Sequence, residues 1–217
     1  MPEDRIQFGD EMTAPSPSQS SPQAYENARR AVDAIHARDP KRDGDGLPAE
    51  LSYADAMEAW VARLVPEATP LLRLAARCQH LERWSVSRDR FPEGRAGYHQ
   101  WRQFLYGVQA ELAARVLREA GITETEAAMA ADWVAKKGLM TNPGTQALED
   151  AAILVFLERE IIEFIAEHRD YPRSKFLHII ARSWRKLSTA GRDAALALPL
   201  APEIASLVEE ALNLPND

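Results

Sequence analysis

The sequence predicts an all-α fold: a single globular domain of seven to eight helices. Three observations predict it. Apolar residues recur at three- and four-residue spacing along most of the chain, the period of a half-buried helix. No stretch alternates apolar and polar residues for long enough to make a strand, and no segment repeats. The 217 residues are 46% hydrophobic and 27% charged, enough to enclose one sizeable core.

The elements follow in order. Residues 1–23 read as a disordered tail, with Pro15, Pro17 and Pro22 among serines. The domain proper is expected over 24–217. A short polar helix fits 24–38 and stops at Asp39-Pro40. Lys41 to Gly46 is a loop, and its faint likeness to a calcium loop fails because no glutamate closes it at the required spacing. Residues 49–64 carry Leu51, Ala54, Met57 and Val61 on one stripe, and Pro66 ends that helix. Pro70 opens a helix running to about Trp84. After a loop with Pro92, Gly94 and Gly97, a long helix runs from Tyr98 to Ala120, with Gly121 as its cap.

Thr123 and Glu126 form a capping box for a helix ending near Lys137-Gly138. Asn142-Pro143-Gly144 reads as a turn. In the helix over 146–168, Ala151 to Leu157 is apolar all round, which places it mid-fold. Pro172 opens a helix through Trp184 to Leu187, and a last one fits 202–213.

Composition narrows function. A net charge of −7 disfavours wholesale binding to nucleic acid or an anionic membrane, although Arg83, Arg88, Arg90 and Arg95 make a local basic stretch. Cys78 stands alone, so an intramolecular disulfide and a cysteine-rich zinc site are excluded, and it reads as a small core residue. No apolar run is long enough to span a bilayer, and Met-Pro-Glu-Asp-Arg lacks the features of a signal peptide; a cytoplasmic protein is the expectation.

The chemistry-bearing residues gather in four places. On a helical wheel for 71–84, Leu71, Leu74, Ala75, Cys78 and Leu81 share one face, while Arg73, Arg77, His80 and Trp84 lie opposite. A solvated face with a structural histidine accounts for this as well as a working one does. In the functional reading His80 is an acid/base or ligand, and arginines hold an anion. Secondly, Asp150 sits on the apolar stripe of Leu154, Leu157 and Ile161 and needs a partner, a metal or a proton, whereas Glu149 alone is accounted for by the helix dipole.

Thirdly, Tyr98, His99, Trp101 and Arg102 lie within five residues and could form a pocket wall, though such aromatics are more often core. Lastly, Ser183 to Ser188 bears a faint likeness to the Lys-Met-Ser-Lys-Ser loop of class I aminoacyl-tRNA synthetases. It ends a helix with no βαβ pattern before it, which excludes that activity. His36, His168 and His178 show no ligand spacing and read as structural or surface residues.

Six pieces carry a family resemblance: Asp39-Pro40, Leu51-Ser-Tyr-Ala, Ala75-Ala-Arg-Cys-Gln-His-Leu-Glu-Arg-Trp, Gly97-Tyr-His-Gln-Trp-Arg, Leu148-Glu-Asp-Ala with Leu154-Val-Phe-Leu-Glu, and Trp184-Arg-Lys-Leu-Ser. Through them the chain resembles the bacterial and fungal family catalogued as domain of unknown function 4202, whose fungal members are sometimes labelled glutamyl-tRNA synthetase. The helix order is also similar, more distantly, to the HD phosphohydrolase superfamily. That resemblance sets Gln79-His80 where a His-Asp ligand pair would stand and Asp150 where a late aspartate would. Ser52 or Tyr53 stands at the early histidine, so three ligand positions depart from the pattern.

The resulting expectation is an HD-like enzyme for a small anionic substrate, a hydrolase of a phosphate- or carboxylate-bearing metabolite. His80, Asp150 and Glu149 would be catalytic. Arg83, Arg88 and Arg102 would clamp the anion, with Trp84, Tyr98 and Trp101 as walls. A divalent metal could sit on His80, Asp150 and one of Glu82, Glu111 or Glu149. The competing expectation is a non-catalytic helical module for a metabolite, RNA or protein. An enzyme should bring His80 and Asp150 together with the arginines, whereas a module could leave the two apart.

Overall fold

Proline and capping side chains set the helix starts. Ser21 caps a helix opening at Pro22, Thr69 one opening at Pro70, and Asn142 one opening at Pro143. The computed structural model describes residues 19–214. Its helices are α1 (Pro22–His36), α2 (Ala49–Leu64), α3 (Pro70–Arg77), α4 (Gly94–Glu119), α5 (Glu124–Val134), α6 (Pro143–Val155), α7 (Ile161–Glu167), α8 (Arg173–Trp184), α9 (Thr189–Leu196) and α10 (Pro202–Leu212). A π turn, Phe156–Glu160, joins α6 to α7. The fold is therefore all-α, and among the described residues the sole strand-like pairing is an isolated bridge between Arg42 and Pro48.

α2 packs on α6 and α3, α4 runs along α5, and α8 pairs with α10. Met57, Val61, Ala75, Leu117, Leu148 and Leu154 are fully buried where these helices meet. α6 is apolar on nearly every side, as its sequence requires, and its neighbours α2, α3, α5 and α9 surround it. No helix among the described residues is long and apolar enough to cross a membrane.

Several boundaries differ from the sequence expectation. The tail expected over 1–23 lies outside the described residues up to 18, but its end is anchored. Ser20 donates through its backbone to Glu126 (2.9 Å) and accepts from the Thr123 N–H (2.8 Å), and α1 already begins at Pro22. Glu126 thus receives Ser20 and Tyr25 rather than its own N-cap amide. Asn142-Pro143-Gly144 is a helix start instead of a free turn. Gly144 lies so close to the Trp133 indole that a Cβ there would come within 2.3 Å of it. α4 starts at Gly94, before Tyr98, and α9 was not anticipated.

The most consequential difference is α3, which ends at Arg77 and not at Trp84. Arg77, expected on a solvated face, is only 1% exposed. Asp33 (2.8 Å), Asp55 (2.6 Å) and Glu58 (3.0 Å) from α1 and α2 accept from its guanidinium, which is why burial is tolerated. Cys78 is fully buried and its thiol is pushed up to about 12 by burial, the environment of an inert core residue.

Candidate functional site

Where α3 stops, the backbone turns left-handed twice, at His80 (φ 63°) and Glu82 (φ 49°). A residue with a Cβ gives up about 1 kcal/mol there, so such positions point to a local purpose. The turn lays His80 against the first turns of α2. Its ring stacks on Tyr53, centroids 4.2 Å apart and 11° from parallel. Nδ1 lies 3.2 Å from Glu50 Oε2, and Nε2 lies 3.4 Å from Arg83 Nη1. Glu50 and Tyr53 stand one turn apart on α2 and so face the ring together. Buried Asp39 fixes the start of α2 by accepting from the N–H of Glu50 (2.9 Å) and of Lys41 (2.9 Å).

Positive groups surround this dyad. The Arg83 guanidinium lies 4.8 Å over the Trp101 ring, whose indole donates to the Val86 carbonyl (3.0 Å). Arg102 donates to the Tyr98 hydroxyl (3.2 Å) and to that of Tyr106. Lys136, a further left-handed residue (φ 61°), sends its ammonium to Glu149 (2.8 Å). Glu160 closes the π turn, a helix irregularity often found at functional sites.

The electrostatics follow from burial. Desolvation holds the His80 imidazole well below its ordinary range, and the charges of Arg83, Arg102 and Lys136 push the same way. Burial raises Glu50 to about 7 against the opposing pull of Arg83. It raises Glu160 too, with Glu50 adding to the rise. A guanidinium can only donate, so Nε2 must accept from Arg83; Nδ1 then carries the proton and donates to ionised Glu50. The Nε2 lone pair thus faces Arg83, and ionised Glu50 lies where it stabilises a proton taken up by the ring.

The structure distributes the expected site residues. His80, Arg83, Trp101, Arg102 and Tyr98 form one neighbourhood, joined by the contacts above and by the Tyr98 and Trp101 rings, whose centroids lie 5.8 Å apart. Trp84 is half-buried in the 3₁₀ turn beside Arg83. Arg88 instead ties its own loop, donating to the carbonyls of Phe91 (3.0 Å), Pro92 (2.9 Å) and Gly94 (3.3 Å). Glu149 sits between Lys136 (2.8 Å) and Lys186 (3.0 Å). Burial would raise its pKa, but the two ammonium groups bring it down to about 2.

Asp150 points inward as its stripe requires, yet its partners are the Ser188 N–H (2.9 Å), the Ser188 hydroxyl (2.5 Å) and Gln146 Nε2 (2.8 Å). It anchors the start of α9, and the carboxylate on His80 is Glu50. Among the described residues no three His, Cys, Asp or Glu side chains gather as a metal-binding group, so the expected constellation of His80, Asp150 and a glutamate does not form. Asp150→Ala is expected to cost about 2–3 kcal/mol in urea unfolding, by removing the buried carboxylate that the half-buried Ser188 and Gln146 donate to, and to leave the chemistry at His80 unchanged. A pH profile altered by that substitution would return Asp150 to the site.

Sequence reasoning missed Glu50, Lys136 and Glu160. The one available signal for Glu50 was its place between two of the resemblance pieces, Asp39-Pro40 and Leu51-Ser-Tyr-Ala. A family model described as "Domain of unknown function (DUF4202)" matches residues 26–208. No curated protein and no solved structure matches the chain.

Proposed function

The chain belongs to the family of domain of unknown function 4202, whose description carries no activity, and from its own residues we propose a cytoplasmic enzyme acting on a small anionic substrate, a hydrolase of a phosphate- or carboxylate-bearing metabolite. The observation that carries this reading is the strained backbone at His80, which seats the ring between Glu50 and Arg83. A purely structural histidine gains nothing from a left-handed position that glycine fills without strain.

Arg83 and Arg102 bind the anion by charge-assisted hydrogen bonds. As Arg83 turns to the anion, His80 Nε2 is released to take a proton from an attacking water, and the imidazolium then returns that proton to the leaving oxygen as its bond to phosphorus or acyl carbon breaks. Ionised Glu50 accepts from Nδ1–H and stabilises the imidazolium that results. Stacked Tyr53 fixes the ring plane, and Trp84 and Trp101 wall the substrate. Water activation rests on His80 alone, with no step through a metal.

A second reading, a non-catalytic module for a metabolite, RNA or protein, draws support from one observation: Asp150 serves Ser188 and not His80. Assays on a panel of phosphate monoesters and carboxylic esters separate the two. The wild type is expected to turn over at least one, and His80→Ala to lose about 10²–10⁴-fold with its thermal midpoint within a few degrees. His80→Gly is expected to be equally inactive yet more stable than His80→Ala by about 1 kcal/mol, because glycine relieves the backbone. No turnover by wild type, with anion binding intact, selects the module. A large loss of stability in both variants makes His80 structural.

A further inference from the structure

Gln79 and Gln109 are each 4% exposed, and each buries a side-chain amide nitrogen with no acceptor in reach among the described residues. An unpaired buried donor costs about 1–3 kcal/mol, and native folds seldom keep one without reason. Both adjoin site residues along the chain. Gln79 immediately precedes His80. Gln109 lies two helical turns beyond Arg102 and one beyond Tyr106, on the same stripe of α4. The cationic groups of the site, Arg83, Arg102 and Lys136, also only donate. A donor set of this kind asks for a ligand rich in lone pairs.

We propose that Gln79 and Gln109 are substrate-binding residues whose amide N–H groups donate to oxygens of the bound anion. The inference rests on the anion-handling reading above and extends it to specificity. Two neutral donors add direction without charge, so the site selects an oxyanion over other anions of equal charge. A halide presents no oxygens for two fixed amides to reach, whereas a phosphoryl or carboxyl group does.

The test uses the full chain with orthophosphate and acetate as probes. Binding is followed by calorimetry, and stability by thermal unfolding without ligand. Gln79→Leu and Gln109→Leu are each expected to raise the Kd of the preferred probe about tenfold and to leave the unliganded midpoint unchanged or higher, because leucine removes a donor with no partner. Loss confined to orthophosphate assigns a phosphoryl group, and loss confined to acetate a carboxyl group.

Unchanged Kd with a lowered midpoint overturns the proposal, since the amide is then satisfied within the apo protein and serves the fold. Where leucine disturbs packing, Gln109→Glu keeps the shape and trades the donor for an acceptor; retained binding in that variant also overturns it. Arg83→Met separates the two levels of inference. If it abolishes binding while both glutamine variants bind as wild type, only the present inference falls. Wild type that binds neither probe overturns both.

Discussion

Replacing Arg77 by methionine is expected to lower the unfolding free energy by about 3–5 kcal/mol, the largest stability effect of any single substitution considered for this protein. Methionine fills much of the space but leaves Asp33 and Glu58 facing each other with only Arg29 to share, itself 2.7 Å from Glu58. The Asp55 arm matters least, because that carboxylate is 60% exposed and water can replace the arginine. The Glu58 arm matters more. Burial would raise this carboxyl, but Arg29 and Arg77 together hold it below the usual range. Its contribution is present above the ordinary carboxylate value and is lost as pH falls through the lowered one. Urea unfolding of wild type and variant near neutral pH gives the comparison. A cost below about 1 kcal/mol would show that the carboxylates simply rehydrate and that the clasp contributes little.

Glu50→Gln is expected to abolish a pH dependence in two readouts at once. The folded carboxyl is raised from an ordinary value of 4.5 to about 7. Between those values the folded state holds a proton that the unfolded chain has released. The associated stability is fully present below about 4.5 and is lost as pH rises through about 7. The glutamine variant has no such slope and should exceed wild type above pH 7 by up to about 3 kcal/mol. Activity runs the other way. Ionised Glu50 stabilises the imidazolium that forms as His80 takes the proton, so wild-type turnover should rise as pH passes about 7, and the variant should lose about 10²–10³-fold and become flat. A stability slope persisting in Glu50→Gln would assign the titration to Glu160, the neighbouring carboxyl that burial also raises.

Much of the fold was legible because helix starts are written locally. Ser21-Pro22, Thr69-Pro70 and Thr123 lie next to the groups they cap, and the all-round apolar run of α6 announces its central place. What escaped depends on residues far apart in sequence. The wheel for 71–84 assumed that α3 continued, and nothing local announces a left-handed histidine where glycine is the usual occupant. Arg77 was placed outward because an arginine is ordinarily solvated; its three carboxylates come from 19 to 44 residues away. For Asp150 the direction was legible and the partner was not, since Ser188 opens a short helix whose sequence, Thr-Ala-Gly-Arg-Asp-Ala-Ala-Leu, has little apolar periodicity. Glu50 was passed over for the same reason as Arg77: its partner His80 lies 30 residues on.

The π turn at Phe156–Glu160 has a consequence for how this chain tolerates length changes. A π turn holds one residue more than the α-helix it interrupts. Removing any one residue between 156 and 160 would let α6 run into α7 as an unbroken α-helix, which is locally more regular. Because the wide turn absorbs its extra residue locally, the same deletion would leave Ile161 on its buried side and would undo only the local geometry that sets Glu160 beside Glu50. At this point the chain keeps an imperfect helix, and what the imperfection sets in place is the end of the turn, Glu160.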